Sequence, residues 1–467
     1  MAARSSAPAK QKRAASGAAA VKKERWGYRP SSLLWAATFF QIIGVMRLAL
    51  TDAMAEHPLY LLFPVLFIAL EWIYYGVCRR IGREDCTLEI AAFFLTGIGL
   101  LVLSGVTPGA VPEQIAACIL GLFLFHLVRW FMSSVDRVMQ WKLWIGVAAV
   151  LLLAVNLIFG KESGGSRNWI VIGPISVQPS EFVKIAFIVT GATTLDRLQT
   201  SRHITWFMLF FAACMGSLAV MRDFGTACIF FVTFIIMSFL RSGKLLTILL
   251  MCAGAVGGAG ALLISKPYIA RRFSAWRHVW EYADTTGYQQ TRLLIAVASG
   301  GLFGLGPGMG YLKRVAAATT DLIFGVMCEE WGLALALAAI AVYIGFVVFA
   351  IRASAAAGSS LYVIAGIGAA SLLLFQAGLN IFGVTDLVPL TGITLPFISK
   401  GGSSMAACWG LLGFLAALDD SRKRENARTK DFVVNIPGLE EEFYTAKKRR
   451  AKTKPASKKK TASKTAR

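Results

Sequence analysis

Two carboxylates, Glu281 and Asp284, lie three positions apart in a polar segment between apolar blocks, WEYADTTGYQQTRLLIAVASGGLFGLGPGMG. The surrounding region 266–320 is also rich in cations, namely Lys266, Arg271, Arg272, Arg277, Arg292, Lys313 and Arg314. Arginine forks suit phosphate recognition. The glycines either let backbone N–H groups approach an anion closely or simply make a re-entrant turn. This pattern favours a site for an anionic ligand, with lipid-headgroup contact or plain solvation as the alternative.

A second polar block, GGSRNWIVIGPISVQPSEFVKIAF, ends where a helix should begin. Pro179 fits the first turn of that helix, and Ser180 and Glu181 fit its positively polarised N-terminus. Glu181 and Lys184 are three positions apart, so they share a helix face and can form an ion pair. Charges inside a membrane helix usually face protein or water. This pair therefore either lines a cavity or serves helix packing alone.

Three further polar stretches lie at the edges of apolar blocks. MRDFGTA sets Asp223 in a tight turn, where a simple turn with a local charge pair is the alternative to a site. TTDLIFGVMCEEWG places Asp321 at the start of an apolar block, with Glu329 and Glu330 inside it. Adjacent helical residues point about 100° apart, so at least one of these glutamates should line an interior cavity. VPLTGITLPFISKGGSSM is interrupted by Pro and Gly, as expected for irregular backbone that lines a cavity.

The elements that position these side chains are membrane helices. Of the 467 residues 56% are hydrophobic, and they fall in blocks of about 17 to 25, the length that crosses a bilayer. The alternation of a membrane barrel strand is absent. We predict an all-α polytopic membrane protein with about twelve spans, at 32–50, 58–78, 88–106, 113–132, 142–159, 180–195, 203–220, 224–240, 245–265, 321–351, 359–382 and 402–418.

Charge predicts the orientation of these helices. The short loops after every second span carry Lys and Arg, whereas the loops at 51–57 and 107–112 carry none. By the positive-inside rule both termini are cytoplasmic. The segments that then face outside are 160–179, 221–223, 266–320 and 383–401.

The chain divides into three parts by composition. A basic cytoplasmic tail at 1–30 precedes a membrane domain at 31–420, whose large extracellular loop is 266–320, and a second basic cytoplasmic tail follows at 421–467. The net charge is +22, and about half of the Lys and Arg residues lie in these tails. The low-complexity C-terminal tail is typical of a segment held near anionic lipid headgroups. We expect no nucleic-acid partner.

Together the outward segments predict a polar, partly basic cavity roofed by the 266–320 loop. A ligand with phosphate and hydroxyl groups that is reached from within a bilayer suggests a lipid-linked sugar. No strand–loop–helix pattern or GKS sequence accompanies the glycines, which excludes a nucleotide-binding P-loop.

Five motif blocks, taken together and in this order, resemble the shape, elongation, division and sporulation family, which includes FtsW, RodA and SpoVE. The blocks are R-x-W…QPSE-x-x-K from Arg167 to Lys184, D-x-G-T-A at 223–227, GYQ…SGGL-x-G-x-G at 287–306, T-D-x-I-F…EE-x-G at 320–332 and T-G-x-x-LPF-x-S-x-GGSS at 391–404. Any one block is weak, whereas the joint match is specific.

The resemblance implies a glycosyltransferase that polymerises lipid II into peptidoglycan strands at the outer face of the bacterial plasma membrane, releasing undecaprenyl pyrophosphate, for elongation, division or sporulation. It implies as partners lipid II, the nascent glycan chain, membrane lipids and a class B penicillin-binding protein with transpeptidase activity. The family core has about ten helices, three of them before the QPSE helix. Five are predicted here, so two N-terminal helices are extra.

This sequence departs from the family at the position of the catalytic acid. Family members commonly read R-x-x-x-F…W-E-D-P…G-x-G-[YF]-Q. Aligned without gaps from Arg272 to Gln289, this chain has Tyr282 at the Asp position and an Asp two residues later, Asp284. A two-residue register change could bring Asp284 to the same place. Asp284 is therefore the expected catalytic residue, with Glu281 as the alternative and a non-catalytic loop acid as the third possibility.

The resemblance also implies roles for the other residues. Asp284 would act as general base toward the acceptor's 4-hydroxyl, and cations would stabilise the leaving pyrophosphate. The expected substrate-binding residues are Arg167, Gln178, Ser180, Arg272, Tyr288, Gln289, Lys313, Lys400, Ser403 and Ser404. The expected structural or activating residues are Glu181, Lys184, Asp223, Asp321, Glu329 and Glu330. No cofactor is firmly indicated, although a divalent cation, Mg²⁺ or Mn²⁺, could assist the leaving group.

A flippase or transporter of lipid-linked cell-wall precursors is the competing function, because intramembrane charges and broken helices also occur in transporters. However, the sequence has no clear inverted repeat, and its polar chemistry is concentrated on one face. Alternating access requires ligand contacts on both faces, so the pattern favours the enzyme.

Overall fold

The computed structural model of the protein is mostly helical. It describes residues 29–434 except positions 57, 84, 164–165, 174, 196–200, 247, 250, 255–256 and 258–275. The first long helices are α1 (Pro30–Ala49), α2 (Leu62–Arg80), α3 (Thr87–Val106), α4 (Val111–Phe131) and α5 (Val135–Phe159). A short helix at Asp52–Glu56 and 3-10 turns at Pro58–Leu61 and Pro108–Ala110 join them. The prediction of five helices before the QPSE motif is confirmed.

The rest of the chain begins with three strands, β1 (Lys161–Ser163), β2 (Ser166–Ile172) and β3 (Ile175–Val177). The helices that follow are α6 (Pro179–Leu195), α7 (Ser201–Val220), α8 (Phe224–Ser242), α9 (Tyr288–Ser299), α10 (Ile323–Trp331), α11 (Leu333–Ser354), α12 (Ser360–Val384) and α13 (Gly402–Val434), with a 3-10 turn at Leu312–Arg314. The described residues from 29 to 421 belong to one compact unit. The candidate site belongs to this unit.

Nine helical segments among the described residues are long and apolar enough to cross a membrane. They comprise α1 to α5, α8, α11, α12 and residues 402–429 of α13. The predicted spans at 180–195 and 203–220 are present as the helices α6 and α7, whereas the predicted span at 245–265 lies mostly outside the described residues. The chain is a multi-pass membrane protein, and the count of twelve spans stays a prediction.

The predicted span at 321–351 is wrong as one continuous helix. α10 ends at Trp331 and α11 begins at Leu333, and Gly332 between them has φ +90°, which favours glycine. The first two amides of α11 donate to the carbonyls of residues 301 and 302 at 2.9 and 3.2 Å. Because the chain breaks there, the membrane-crossing helix starts after the two adjacent glutamates.

A three-stranded antiparallel sheet in the order β1-β2-β3 connects α5 to α6. Ile170 pairs with Val177, and Lys161 pairs with Trp169. The all-α prediction missed this sheet because β1 and β3 have only three residues each, too few to show a strand's alternation. The sheet carries the R-x-W motif to the start of α6.

The core is centred on α13, where Trp409 is fully buried. The centroid of its ring lies 4.9, 6.3 and 5.8 Å from those of Phe93, Phe125 and Phe397. A Cβ at Gly121 would lie 2.8 Å from the Trp409 side chain, so this glycine permits the close approach of α4. Aromatic packing therefore holds α3, α4 and the segment before α13 around one helix.

The polar segments predicted to share one side of the membrane meet at one end of the helices. Lys400 donates its backbone N–H to the Thr319 carbonyl at 2.8 Å, and Gln178 donates its backbone N–H to Ser403 Oγ at 3.3 Å. These bonds join the segments that precede α6, α10 and α13. We call this region, formed by the described residues within 160–179, 221–223, 276–332 and 385–404, the motif end.

Candidate active site

A chain of buried polar side chains runs from α6 to α12 and α13 at the motif end. Lys184 Nζ donates to Glu181 Oε1 at 2.8 Å and to Gln376 Oε1 at 2.9 Å. Gln376 Nε2 donates to the Thr394 carbonyl at 3.1 Å, and the Thr394 hydroxyl shares a 2.8 Å hydrogen bond with Ser404. The Lys184 and Glu181 side chains are only 1% and 5% exposed. The ion pair predicted from the spacing is confirmed, and it faces protein.

The N-terminus of α6 leaves polar atoms for another group. Ser180 Oγ and Glu181 Oε2 are buried and have no hydrogen-bond partner among the described residues. They lie in the first turn of α6, where unsatisfied N–H groups make the helix end positive. Buried polar atoms are normally paired, so these two mark where a water molecule or a polar ligand group would bind.

Asp223 ties the sheet, α6 and α8 together. Its Oδ2 accepts from Asn168 Nδ2 at 3.2 Å and from Gln178 Nε2 at 3.3 Å. Its Oδ1 accepts from the Thr226 N–H at 3.1 Å, which caps the N-terminus of α8. With three bonds to the protein, this buried carboxylate positions the QPSE segment.

The two glutamates of the EE-x-G motif hold residues 300–312, the glycine-rich loop. Glu329 accepts from the backbone N–H groups of Tyr311 and Leu312 at 2.9 and 3.0 Å. Glu330 accepts from the Gly308 N–H at 2.9 Å. Both glutamates are buried against the loop. These amides are therefore already bonded to carboxylates of the same chain and are not available to a phosphate.

Close approach explains why this loop needs glycine. A Cβ at Gly304 would overlap the Glu330 carbonyl oxygen, and one at Gly310 would lie 2.5 Å from Glu329 Oε2. Gly304 also has φ +79°, a conformation that residues with a side chain rarely adopt. Glycine is thus a packing requirement against α10 at these two positions.

Burial changes the protonation of two acids at the motif end. It raises the pKa of Glu330 from its ordinary value of 4.5 to about 7, and hydrogen bonds from the Gly308 and Gly310 amides offset this only in part. Glu330 Oε1 has no partner among the described residues, so this oxygen can carry the proton. Burial likewise raises the pKa of Asp321 to about 6. Both groups therefore change charge closer to neutral pH than ordinary carboxyls do.

The candidate catalytic acids Asp284 and Glu281 lie in the turn segment 276–287, before α9, and both side chains are exposed. Trp276 Nε1 anchors the segment by donating to the Asp386 carbonyl at 3.2 Å. The segment is thus fixed to the loop after α12 while its two carboxylates stay open to a ligand. Their role in catalysis stays a prediction.

The other residues expected to bind substrate differ in exposure. Gln178, Ser180, Ser403 and Ser404 are buried, whereas Arg167, Tyr288, Gln289, Lys313 and Lys400 are exposed or half-buried. Gln289 Nε2 donates to the Ala316 carbonyl at 3.3 Å, and Lys313 Nζ donates to the Gly308 carbonyl. Arg272 lies outside the described residues. The exposed set is the one that a ligand can reach without rearrangement.

Two amide side chains on α12, Gln376 and Asn380, belong to this site and were not anticipated. Asn380 Nδ2 donates to the carbonyls of Asp321 and Ile393 at 2.8 and 2.6 Å, while Gln376 extends the bonds of Lys184. Their i,i+4 spacing places both on one face of α12. The presence of two amide side chains in an otherwise apolar block is the sequence feature that could have predicted them.

A multi-pass membrane fold with a buried polar chain, and with exposed acids and cations at the motif end, is suited to a membrane-embedded site for a polar ligand. Comparison with known proteins then gives the family. Residues 109–424 match the FtsW/RodA/SpoVE family, described as cell cycle proteins, and the chain belongs to this family. The resemblance inferred from the five motif blocks is confirmed.

Two curated relatives show how much of the chain is shared. The probable peptidoglycan glycosyltransferase FtsW of Saccharophagus degradans is 33% identical, over 76% of this chain and 97% of that protein. The peptidoglycan glycosyltransferase RodA of Mycobacterium leprae is 28% identical, over 82% of this chain and 89% of that protein. Both relatives are thus matched over most of their length.

The fold is shared with a solved chain from a peptidoglycan synthase complex, whose structure concerns the coordination of polymerization and crosslinking. That chain superimposes with a TM-score of 0.61 at 26% identity, over 73% of this chain and 98% of its own length. The family match begins at residue 109, so α1, α2 and α3 precede the matched region.

Proposed function

We propose that this protein is a peptidoglycan glycosyltransferase that polymerises lipid II into glycan strands and releases undecaprenyl pyrophosphate. The observation that carries the proposal is the meeting of the family motifs at one end of the helices, around the Glu181–Lys184 ion pair. Membership of the FtsW/RodA/SpoVE family and the activity named for its relatives support it.

The proposed reaction joins two saccharides by a single displacement. The 4-hydroxyl oxygen of the acceptor sugar attacks the anomeric carbon of the donor, and the bond from this carbon to the lipid pyrophosphate breaks. The hydroxyl proton passes to a carboxylate, for which we propose Asp284, with Glu281 as the alternative. One displacement turns an α-linked donor into a β-linked product without a covalent enzyme intermediate.

The departing pyrophosphate gains negative charge, so cationic groups should lie near it. The candidates are Arg167, Lys313 and Lys400, which are exposed or half-buried at the motif end, together with Arg272. A divalent cation, Mg²⁺ or Mn²⁺, carried by the pyrophosphate is a further candidate. In the part of the chain that the structure describes, no three His, Cys, Asp or Glu side chains are grouped to hold a metal ion. We therefore assign no protein ligands to this cation.

The buried chain around Lys184 would shape the cavity under the reacting sugars. Its hydrogen bonds link α6 to α12 and to the segment before α13. The unpartnered Ser180 Oγ and Glu181 Oε2 are the polar atoms that could meet a hydroxyl of the substrate. Loss of this chain would change the shape of the cavity before it changed the chemistry.

The proposed partner is a class B penicillin-binding protein, whose transpeptidase would crosslink the polymer. A relative solved within a peptidoglycan synthase complex supports this assignment. The proposed location is the bacterial plasma membrane, with the motif end outside and both termini cytoplasmic, because the positive-inside rule places the loops that are rich in Lys and Arg on the inner side.

Polymerisation by the purified protein tests the proposal. Wild type, Asp284→Ala, Asp284→Asn and Glu281→Ala would each receive fluorescent lipid II together with the partner. If Asp284 is the base, both of its variants should lose about 10²- to 10⁴-fold in rate, because neither can accept the proton. Glu281→Ala, the matched control on the same turn, should stay within about tenfold of wild type.

Two results would contradict the assignment of Asp284 as the general base. Polymer from Asp284→Ala at the wild-type rate would remove Asp284 from catalysis. A loss confined to Glu281→Ala would transfer the role to that residue. No polymer from wild type with any partner tested would reject the glycosyltransferase itself.

A further inference from the structure

The first two helices are fitted closely onto the rest of the fold. A Cβ at Gly97 of α3 would overlap the Gln41 amide of α1, and one at Gly44 of α1 would lie 2.5 Å from the Leu101 side chain. Gln41 Nε2 also donates to Glu71 Oε1 of α2 at 2.6 Å, and both residues are buried. Small residues and buried polar bonds of this kind fix helix contacts inside a membrane. α1 is therefore a positioned element.

The last turn of α1 reaches the motif end through one side chain, Arg47. Arg47 Nη1 donates to the Phe303 carbonyl in the glycine-rich loop at 3.4 Å. The guanidinium also lies 5.5 Å from the centroid of the Trp331 ring, the last residue of α10. Arg47 thus contacts both sides of the junction at which the loop meets the break between α10 and α11.

The glycine-rich loop is hydrogen-bonded on one side of this junction and has exposed side chains on the other. On the inner edge Glu329 and Glu330 bind the loop amides. On the outer edge the side chains of Leu302 and Phe303 are 61% and 77% exposed, so they contribute little packing. The Arg47 guanidinium contacts the Phe303 carbonyl and the Trp331 ring on that side. It is therefore well placed to hold the loop.

We propose that Arg47 is a positioning residue for the glycine-rich loop, supplied by an N-terminal helix that precedes the region matched to the family. The inference rests on the proposed function in so far as the loop serves the glycosyl-transfer site. Arg47 touches no reacting atom in this proposal. It keeps the loop closed on α10 by a charge-assisted hydrogen bond and a cation–π contact.

Arg137 provides a matched control. It makes the same pair of contacts, a hydrogen bond from Nη1 to the Trp130 carbonyl and a guanidinium 3.9 Å from the Trp130 ring centroid. Trp130 lies in the last turn of α4 and Arg137 in the first turn of α5, so these contacts lie at the other end of the helices from the motif end. Replacing Arg137 removes equivalent interactions without touching the glycine-rich loop.

The experiment uses the full chain with Arg47→Ala, Arg47→Lys and Arg137→Ala. Hydrogen–deuterium exchange followed by mass spectrometry would be measured on the 300–312 segment, and polymerisation kinetics on lipid II with the partner. Arg47→Ala should speed exchange of the loop amides about three- to tenfold, the loss expected for one hydrogen bond and one cation–π contact. It should lower kcat by a similar factor, with KM changed less than about twofold.

Arg47→Lys should recover part of both effects, because lysine can still donate to the Phe303 carbonyl but cannot stack its charge flat on a ring. Arg137→Ala should leave both the loop exchange and kcat as in wild type. This pattern separates positioning of the loop from a general loss of stability, which would affect both arginine positions.

Three results would overturn the proposal. They are unchanged loop exchange in Arg47→Ala, equal loosening of the loop by Arg137→Ala, and faster loop exchange with an unchanged kcat. If wild type makes no polymer, the proposed function fails, and the exchange data alone still decide whether Arg47 holds the loop. If Arg47→Ala does not fold, the comparison of Arg47→Lys with wild type decides by the same criteria.

Discussion

Replacing Lys184 by methionine should strongly destabilise the protein. Lys184 Nζ makes two bonds, 2.8 Å to Glu181 and 2.9 Å to Gln376, in surroundings where its side chain is 1% exposed. Methionine fills a similar volume but leaves the Glu181 carboxylate buried without its counter-ion. Breaking a buried pair in this way costs about 3–5 kcal/mol.

The double variant Glu181→Gln, Lys184→Met removes both charges and should recover at least about half of that loss, since no charge is then buried alone. The free energy of unfolding would be measured for both single variants and the double variant by denaturant titration in mild detergent. The cycle then yields the coupling energy of the pair. Polymerisation by the double variant would be measured separately, because a stable but inactive protein would show that the charges also serve the reaction.

Two results would refute this reasoning. One is a Lys184→Met variant as stable as wild type, which would mean that water or a rearranged side chain already compensates the Glu181 charge. The other is a double variant no more stable than the single one, which would mean that the loss comes from packing and not from an unpaired charge.

Two further predictions concern the glycine-rich loop. Gly304→Ala should cost at least about 2 kcal/mol, because its Cβ would overlap the Glu330 carbonyl oxygen. Gly301→Ala should cost less, because its Cβ, at φ +55°, would have no atom of the described residues within 4 Å. Equal denaturant midpoints for the two variants would contradict this. Because burial raises the pKa of Glu330 to about 7, the folded state binds that proton more tightly than the unfolded chain. The free energy of unfolding should therefore fall as pH rises from about 5 to 7, by up to about 3 kcal/mol, and level off above. Glu330→Gln should flatten this pH profile, and an unchanged slope in that variant would contradict the assignment.

Local spacing predicted the parts of the site that depend on neighbours in sequence. The three-residue separation of Glu181 and Lys184 was enough to predict their ion pair, and Pro179 correctly indicated the first turn of α6. Block length likewise predicted the five helices that precede it. These features depend on helix geometry and on bilayer thickness, both of which can be recognised in a single sequence.

The parts that were missed depend on contacts between distant segments. Nothing near Gly332 distinguishes a break from a continuous apolar helix, because the amides that open α11 bind carbonyls about thirty residues earlier. Of the two interpretations of the glycines, approach to a phosphate fails at Gly308, because its N–H donates to Glu330. The partner of a backbone group is decided by the tertiary fold.

The fit of α1 against α3 has a consequence for assembly. The flank of α3 that carries Gly97 and Leu101 is already occupied by the chain itself, so no transmembrane anchor from another protein can seat there. The proposed transpeptidase partner would therefore approach across a different side of the molecule. Crosslinking probes placed on α3 along this flank should accordingly fail to capture such a partner.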